Sequence, residues 1–206
     1  MTAATPRDAA TVILLRGQGA EREVLLGRRP STARFMPEVY VFPGGALEPQ
    51  DEENSGLPED FGSPPGGCDD RTRALWPALL RCALRELYEE TGLLLAGGPC
   101  PRTPGPGASE AGGAAWAAFQ AAGRKPGFGG LSLVHRAVTP VSSPIRFDTR
   151  FFRASGEVLG RLGGDGELED LAWRPLAGLQ DLPLRQVTRQ ALGKALTQPE
   201  TGHKRA

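Results

Sequence analysis

A chain of 206 residues with 24 basic and 24 acidic side chains carries no formal net charge and is long enough to bury one sizeable core, so a single domain spanning 1–206 is expected. Glycine (28) and proline (19) together approach a quarter of the chain, just under the composition at which disorder becomes the default, and folding around long loops follows. Without net positive charge or a basic run, a general nucleic-acid surface is not expected. No apolar run has membrane-spanning length and no basic-then-apolar leader is present, so no membrane partner is expected either.

In chain order, Ala9–Leu15 is apolar and β-branched, and after a polar turn at 17–22 a second run, Val24–Leu26, pairs with it as a strand. A strand over Val39–Phe42 runs into Pro43-Gly44-Gly45, where proline removes a donor and glycines admit a close turn. Residues 49–67 are acidic and rich in Pro, Gly and Ser without helical or strand period, and read as an irregular surface insertion. Asp69 or Asp70 caps a helix predicted to run to Thr91 and stop at Gly92. At about 100° per residue, Leu80, Leu84, Leu87 and Thr91 form its core stripe, and Cys82 reads as buried packing.

A second Gly/Pro-rich loop spans about 97–113, followed by an alanine-rich helix over Trp116–Ala122 whose packing face is Trp116 and Phe119. Leu131–Val138, Thr149–Ala154 and Leu171–Trp173 read as strands, and Leu184–Leu196 as a closing helix. His135 reads as a satisfied core or edge histidine, and His203 falls in the tail. Cys68, Cys82 and Cys100 form no Cys-x-x-Cys pair and leave one over, which argues against a disulfide framework and for a reducing, cytoplasmic setting.

The densest chemistry lies in Arg85-Glu86-Leu87-Tyr88-Glu89-Glu90-Thr91-Gly92. Glu86, Glu89 and Glu90 share an arc of about 100° beside the leucine stripe. Glu86 and Glu90 are a like-charge i,i+4 pair costing about 0.2–0.5 kcal/mol, and carboxylates in a last turn oppose the helix dipole by about 0.3–1 kcal/mol. A solvated acidic face, partly offset by Arg85, is one account. The other is a hard divalent cation, which takes carboxylate oxygens together with substrate phosphates.

The segments Phe42-Pro43-Gly44-Gly45, Arg85-Glu86-Leu87, Glu89-Glu90 and Gly92-Leu93 together resemble the signature of the Nudix hydrolase family. Two departures interrupt the match: Asp51 stands where the first glutamate belongs, and residues 52–84 replace the usual seven. An insertion there is energetically tolerable, because closure entropy grows with the logarithm of loop length. Upstream, Leu25, Leu26, Arg29, Arg34 and the Phe42–Gly45 run resemble the mark of the family's coenzyme A diphosphatase branch, with Gly27, Pro30 and Glu38 in place of its Thr, Ser/Ala and Gly. Arg146-Phe147-Asp148-Thr149-Arg150-Phe151-Phe152 resembles a stretch of acyl-CoA diphosphatases that carry such an insertion. Read without the family, it is a strand with aromatics in the core and Arg146, Asp148 and Arg150 paired on its outer face.

The resemblance implies an α/β fold, a Nudix-type α/β/α sandwich with a central mixed sheet. It implies Mg²⁺ or Mn²⁺ as cofactor, with Glu86, Glu89, Glu90 and the Gly45 (or Gly44) carbonyl as ligands and Arg85 orienting a glutamate. Substrate contacts fall to Arg29, Arg34, Gly44 and Gly45, with Arg28 beside them at the strand end. The catalytic base is a box glutamate or a loop carboxylate, Glu167 or Glu169. The implied substrate is a small-molecule nucleoside diphosphate derivative, CoA or a CoA ester first, ADP-ribose or another such diphosphate second. A non-catalytic nucleotide-sensing module and a homodimer are left open. No Ser-Lys-Leu-like address is expected at 202–206.

Overall fold

The computed structural model describes residues 4–100 and 113–198; most of the 97–113 loop and His203 lie outside them. The chain runs β1 (Arg7–Arg16), β2 (Glu23–Arg28), β3 (Tyr40–Val41), β4 (Gly44–Ala46), α1 (Pro49–Glu52), α2 (Asp70–Ala74), α3 (Trp76–Thr91), β5 (Leu93–Pro99), α4 (Gly113–Ala121), β6 (Arg124–Pro126), β7 (Leu131–Val138), β8 (Phe147–Ala154), β9 (Glu157–Gly160), β10 (Glu169–Pro175) and α5 (Gln186–Thr197). The main sheet has strand order β10-β2-β1-β8-β7, with β3 added to β2 and β4 to β1. β1 and β8 pair in parallel from Arg7↔Phe147 to Leu14↔Ala154, and the other pairings are antiparallel, which makes the sheet mixed. A smaller antiparallel sheet, β6-β5-β9, stands apart.

Strand alternation assigns the two faces of the main sheet. Ala10, Val12 and Leu14 of β1, with Phe152 of β8, pack under α3 and α4. Ile13, Val24, Leu26 and Phe151 pack under Ala191, Leu192 and Ala195 of α5. The architecture is thus the α/β/α sandwich with a central mixed sheet. Among the described residues no helix is long and apolar enough to cross a membrane.

The helix expected from Asp69 to Thr91 is two helices. Asp69 caps α2 by accepting the Thr72 N–H at 3.0 Å, and the chain breaks at Leu75 (φ −93°, ψ 7°) before α3 begins with Pro77 in its first turn. Proline lacks the N–H and its ring collides with the carbonyl four residues back, so no helix runs straight through it. α3 then continues on its apolar stripe, with Leu80, Leu84, Leu87 and Thr91 buried, and ends at Gly92 in the left-handed region (φ 71°). A side chain there would also stand 2.9 Å from the Arg161 carbonyl.

Two further expectations are corrected. The 49–67 segment is not simply surface: it opens with α1, buries Asp51 and Ser55, and sends Phe61 to 4.7 Å from Phe128 while the Phe61 carbonyl accepts the Trp76 indole N–H at 3.0 Å. Asp148 and Arg150 do not lie on an outer face, being 5% and 0% exposed. They share the α3 side of β8 with Phe152, and the Arg150 guanidinium is bonded to Thr72 of α2. His135 sits on edge strand β7 with its ring 5.7 Å from Phe151 and Nδ1 2.9 Å from the Lys194 amine of α5.

Candidate active site

β1 holds the Pro43 bend against α3. Val12 donates its N–H to the Pro43 carbonyl at 2.8 Å, and β4 pairs with β1 through Ala10↔Gly45 and Thr11↔Gly44. The bend therefore lies directly over the acidic face. Gly44 donates its N–H to Glu90 Oε2 at 2.8 Å. Its φ of 155° and the Thr11 Cα 2.5 Å from where a Cβ would stand leave room only for glycine. At Gly45 a Cβ would sit 2.2 Å from Glu86 Oε1, so the bare backbone is what lets the carboxylate close on the turn. The Gly45 carbonyl accepts the Cys82 thiol at 3.6 Å, a weak contact that leaves acceptor capacity.

Arg85 is 3% exposed and organises the acids from beneath. Its Nε and Nη2 grip both oxygens of Asp51 at 2.9 and 2.8 Å. Its Nη1 donates to Glu86 Oε1 at 2.9 Å and Glu89 Oε2 at 2.8 Å. Asp51 thus reaches Arg85 despite its short side chain, because α1 carries its backbone inward. Its Oδ2 also accepts the Glu48 N–H at 2.9 Å.

Burial raises the Glu86 carboxyl to about 7, outweighing the favourable charge of Arg85. Burial also lifts Glu90 well above the usual carboxylate range, against the Gly44 hydrogen bond, with the Glu86 and Glu167 charges adding and Arg29 opposing. Glu89 is the open member, its side chain 32% exposed.

These couplings bring Arg29 and Glu167 to the same end of α3. Arg29 is held by its Nε on the Phe35 carbonyl at 2.9 Å. Glu167 is exposed on a loop laid across the helix terminus, where Gly163 N–H meets the Thr91 carbonyl at 3.0 Å and Asp165 N–H the Glu89 carbonyl at 2.9 Å. A side chain at Gly164 would stand 2.3 Å from the Glu90 carbonyl oxygen.

Two candidates are not gathered in. Arg34 stands exposed in the 29–39 connection without a contact to the glutamates, and Glu169 is ion-paired to Arg28 at 2.8 Å. Glu38, in the place where the coenzyme A diphosphatase signature has glycine, keeps the left-handed backbone (φ 59°).

The donor set is hard oxygen, which fits Mg²⁺ or Mn²⁺, and two of its carboxylates lie where burial penalises their charge. As arranged, the side chains turn onto Arg85 and the Gly44 N–H. Among the described residues no three acidic, histidine or cysteine side chains are gathered as a metal cage. The fit is one of chemistry, with the half-buried Glu89 as the most accessible of the three carboxylates. Sequence reasoning missed Glu59 and Arg81: Arg81 lies one turn before Arg85 on a buried face, a charge where only a partner could tolerate it.

Fold and site define an α/β/α sandwich built around an acidic helix and a glycine bend. No family model matches the chain. The crystal structure of a Nudix hydrolase from Alicyclobacillus acidocaldarius aligns with a TM-score of 0.69 at 36% identity, covering 96% of this chain and 94% of that one. The acyl-coenzyme A diphosphatase NUDT19 of Gallus gallus is 35% identical over a stretch that takes in 47% of this chain and 34% of that protein. A putative nudix hydrolase 7 of Caenorhabditis elegans is 34% identical over 43% of this chain and 22% of its own length. The chain thus spans about a third or less of these curated relatives. It belongs to the Nudix hydrolase family.

Proposed function

We propose that the chain hydrolyses the diphosphate linkage of a nucleoside diphosphate derivative in the presence of Mg²⁺ or Mn²⁺, with CoA or acyl-CoA as the substrate class, giving 3′,5′-ADP and (acyl-)phosphopantetheine. One observation carries the reading: Glu86 and Glu90 are buried against the Gly44–Gly45 bend, in a setting that disfavours their charge. Such a site is stabilised by a cation brought from outside. The similarity to an acyl-coenzyme A diphosphatase supports the choice of substrate.

Glu86, Glu89 and Glu90 would hold the metal. When bound, it neutralises diphosphate charge and lowers the pKa of a coordinated water. Arg85 aims Glu86 and Glu89 through its Nη1, and the Gly44 N–H fixes the rotamer of Glu90. Arg29, beside Glu90, offers a guanidinium to a phosphate oxygen. Glu167, exposed and near Glu90, accepts the proton of the attacking water. A reducing, cytoplasmic setting is part of the same proposal and rests on the sequence, in which Cys68, Cys82 and Cys100 form no Cys-x-x-Cys pair.

The test is a panel of CoA, acetyl-CoA, ADP-ribose and NADH with Mg²⁺ or Mn²⁺, read by product chromatography. A CoA compound turned over fastest, with 3′,5′-ADP as product, is the expected result. Preference for ADP-ribose would overturn the substrate class. No turnover of any member would overturn hydrolysis in favour of a sensing module.

A further inference from the structure

The segment inserted inside the box is tied to the site by a chain of buried polar contacts that begins at Glu59. Glu59 and Arg81 have side chains 6% and 8% exposed. Arg81 grips Glu59 with two prongs, Nε on Oε1 and Nη2 on Oε2, both at 2.8 Å. Its third prong, Nη1, donates to the Asp51 carbonyl at 3.0 Å. Phe61 covers the guanidinium, its ring centroid 4.8 Å from Cζ, and Glu59 Oε1 also accepts the Ser55 N–H at 3.2 Å. Asp51 in turn is held by both oxygens on Arg85, whose remaining nitrogen serves Glu86 and Glu89.

We infer that Glu59 is a positioning residue for Glu86 and Glu89: it occupies Arg81 and thereby keeps Asp51 for Arg85. The physical reason is competition for one carboxylate. A guanidinium this deeply buried cannot remain unpaired, and Arg81 already touches Asp51 through the backbone. With Glu59 neutralised, Arg81 is drawn to the carboxylate of Asp51, the residue whose carbonyl it already holds at 3.0 Å. Drawing Asp51 off Arg85 frees that rigid fork to close on Glu86 and Glu89 from the wrong side, and the two acids lose the orientation in which they could serve a cation. The insertion thus supplies its own acid to correct for the second arginine on the buried face of α3. This inference rests on the reading that Glu86, Glu89 and Glu90 hold a divalent cation.

The test compares the intact chain with Glu59→Gln, with the milder Glu59→Asp, and with the double variant Glu59→Gln/Arg81→Met. The readouts are Mn²⁺ affinity from the paramagnetic resonance of free Mn²⁺, the thermal midpoint without metal, and kcat and KM separately. Glu59→Gln is expected to weaken Mn²⁺ binding by about 10–100-fold, the range typical when a partner of a metal ligand is removed. It should lower kcat by a similar factor while KM changes by less than about threefold. Glu59→Asp, which keeps the charge and shortens the reach, should weaken Mn²⁺ in the same direction by a smaller factor. In the double variant no arginine competes for Asp51, so Mn²⁺ affinity should return to within about threefold of the parent chain.

A lowered thermal midpoint with unchanged Mn²⁺ affinity and kcat would overturn the inference and leave the pair as mere attachment of the insertion. Equal losses in the single and double variants would overturn the competition on which it stands. A parent chain that binds no Mn²⁺ would sink the metal reading and this inference with it, whereas a parent that binds Mn²⁺ alongside an unaffected Glu59→Gln would sink this inference alone.

Discussion

Two ionic networks lie next to each other along the β1–β4 pairing and differ in their balance of charge. At the junction of β1, β8, α2 and β7, three aspartates meet three arginines: Asp8, Asp69 and Asp148 against Arg71, Arg136 and Arg150. At the glycine bend, Asp51, Glu59, Glu86, Glu89 and Glu90 meet Arg81 and Arg85, and acids remain in excess even with Arg29 counted. The balanced network depresses Asp8 and Asp69. Asp69 is held down to about 2, first by its Thr72 hydrogen bond and then by Arg136 and Arg150; Asp8 is buried, yet its bonds from Arg71 and Arg150 bring it below the usual carboxylate range. In the unbalanced network burial raises Glu86 to about 7 and lifts Glu90 well above the usual carboxylate range, while Glu59, closed by Arg81, stays below it. Where a chain closes its own charge the network is framework, and where it leaves acid over, the proposed cation is what would complete the balance.

The largest expected effects come as a pair, one for each region. Glu90→Gln keeps an acceptor for the Gly44 N–H but removes a proposed cation ligand. Hydrolysis should fall by at least about a thousandfold, the equivalent of roughly 4 kcal/mol, while the metal-free thermal midpoint holds or rises. Arg150→Met should do the reverse. The Arg150 guanidinium is fully buried, with Nε on Thr72 Oγ1 at 3.0 Å and Nη1 on Asp8 Oδ1 at 2.5 Å and on the Asp148 carbonyl at 2.8 Å. Losing it removes the only fully buried counter-ion of Asp8 and Asp148, leaving them the more exposed Arg71 and Arg136, and should cost about 3–5 kcal/mol of stability, with kcat at 20 °C little changed in the protein that remains folded. Denaturant titration and steady-state rates on both variants check the contrast. If Glu90→Gln unfolds the chain, or Arg150→Met abolishes kcat in folded protein, the two regions do not differ as argued.

A second contrast is in pH, and the signs are opposite. Glu86 has its folded pKa raised from 4.5 to about 7, so its contribution is fully present below about 4.5 and is lost as pH rises through 7. The loss is roughly 1–3 kcal/mol at pH 8. Asp8 and Asp69 have folded pKa values lowered from 3.8, so theirs is present above about 4 and disappears as pH falls toward 2. Metal-free protein should therefore be most stable near pH 5, by thermal midpoint across pH 2–9. Millimolar Mn²⁺ should flatten the alkaline limb and leave the acid limb alone. An alkaline limb that ignores Mn²⁺ would detach Glu86 from any cation.

Much of this division was legible before the fold, and the missing part has a physical cause. The acidic arc of α3, its leucine stripe and the stop at Gly92 follow from helical period and from glycine's access to the left-handed region. The Gly44–Gly45 bend follows from proline and glycine chemistry. Period assigns a residue to a face but does not say what covers that face. Asp148 and Arg150 share one side of β8 and read as surface, yet α2 lies over them, a helix whose position depends on the Pro77 break. Asp51 meets Arg85 and Glu59 meets Arg81 across an insertion whose irregular sequence gives no register for such pairings. β5 escaped notice because Leu93-Leu94-Leu95 follows Gly92 directly, with no turn to separate strand from helix.

The smallest expected effect tests whether balance or mere proximity makes the framework network strong. Arg71 donates its Nε to both oxygens of Asp8 at 3.0 Å and its Nη2 to Oδ2, and by contact geometry it is as good a partner as Arg150. Its side chain, however, is 60% exposed whereas that of Arg150 is 0% exposed. Water screens an exposed guanidinium and replaces it when it is removed, and Asp8 keeps Arg150 as its buried counter-ion. Arg71→Ala should therefore cost only about 0.2–1 kcal/mol by denaturant titration, several-fold less than Arg150→Met, and should make the acid limb shallower, because the folded pKa of Asp8 moves back toward its unfolded value. A loss equal to that of Arg150→Met would mean that the network is held by the number of its ion pairs rather than by which of them water cannot replace.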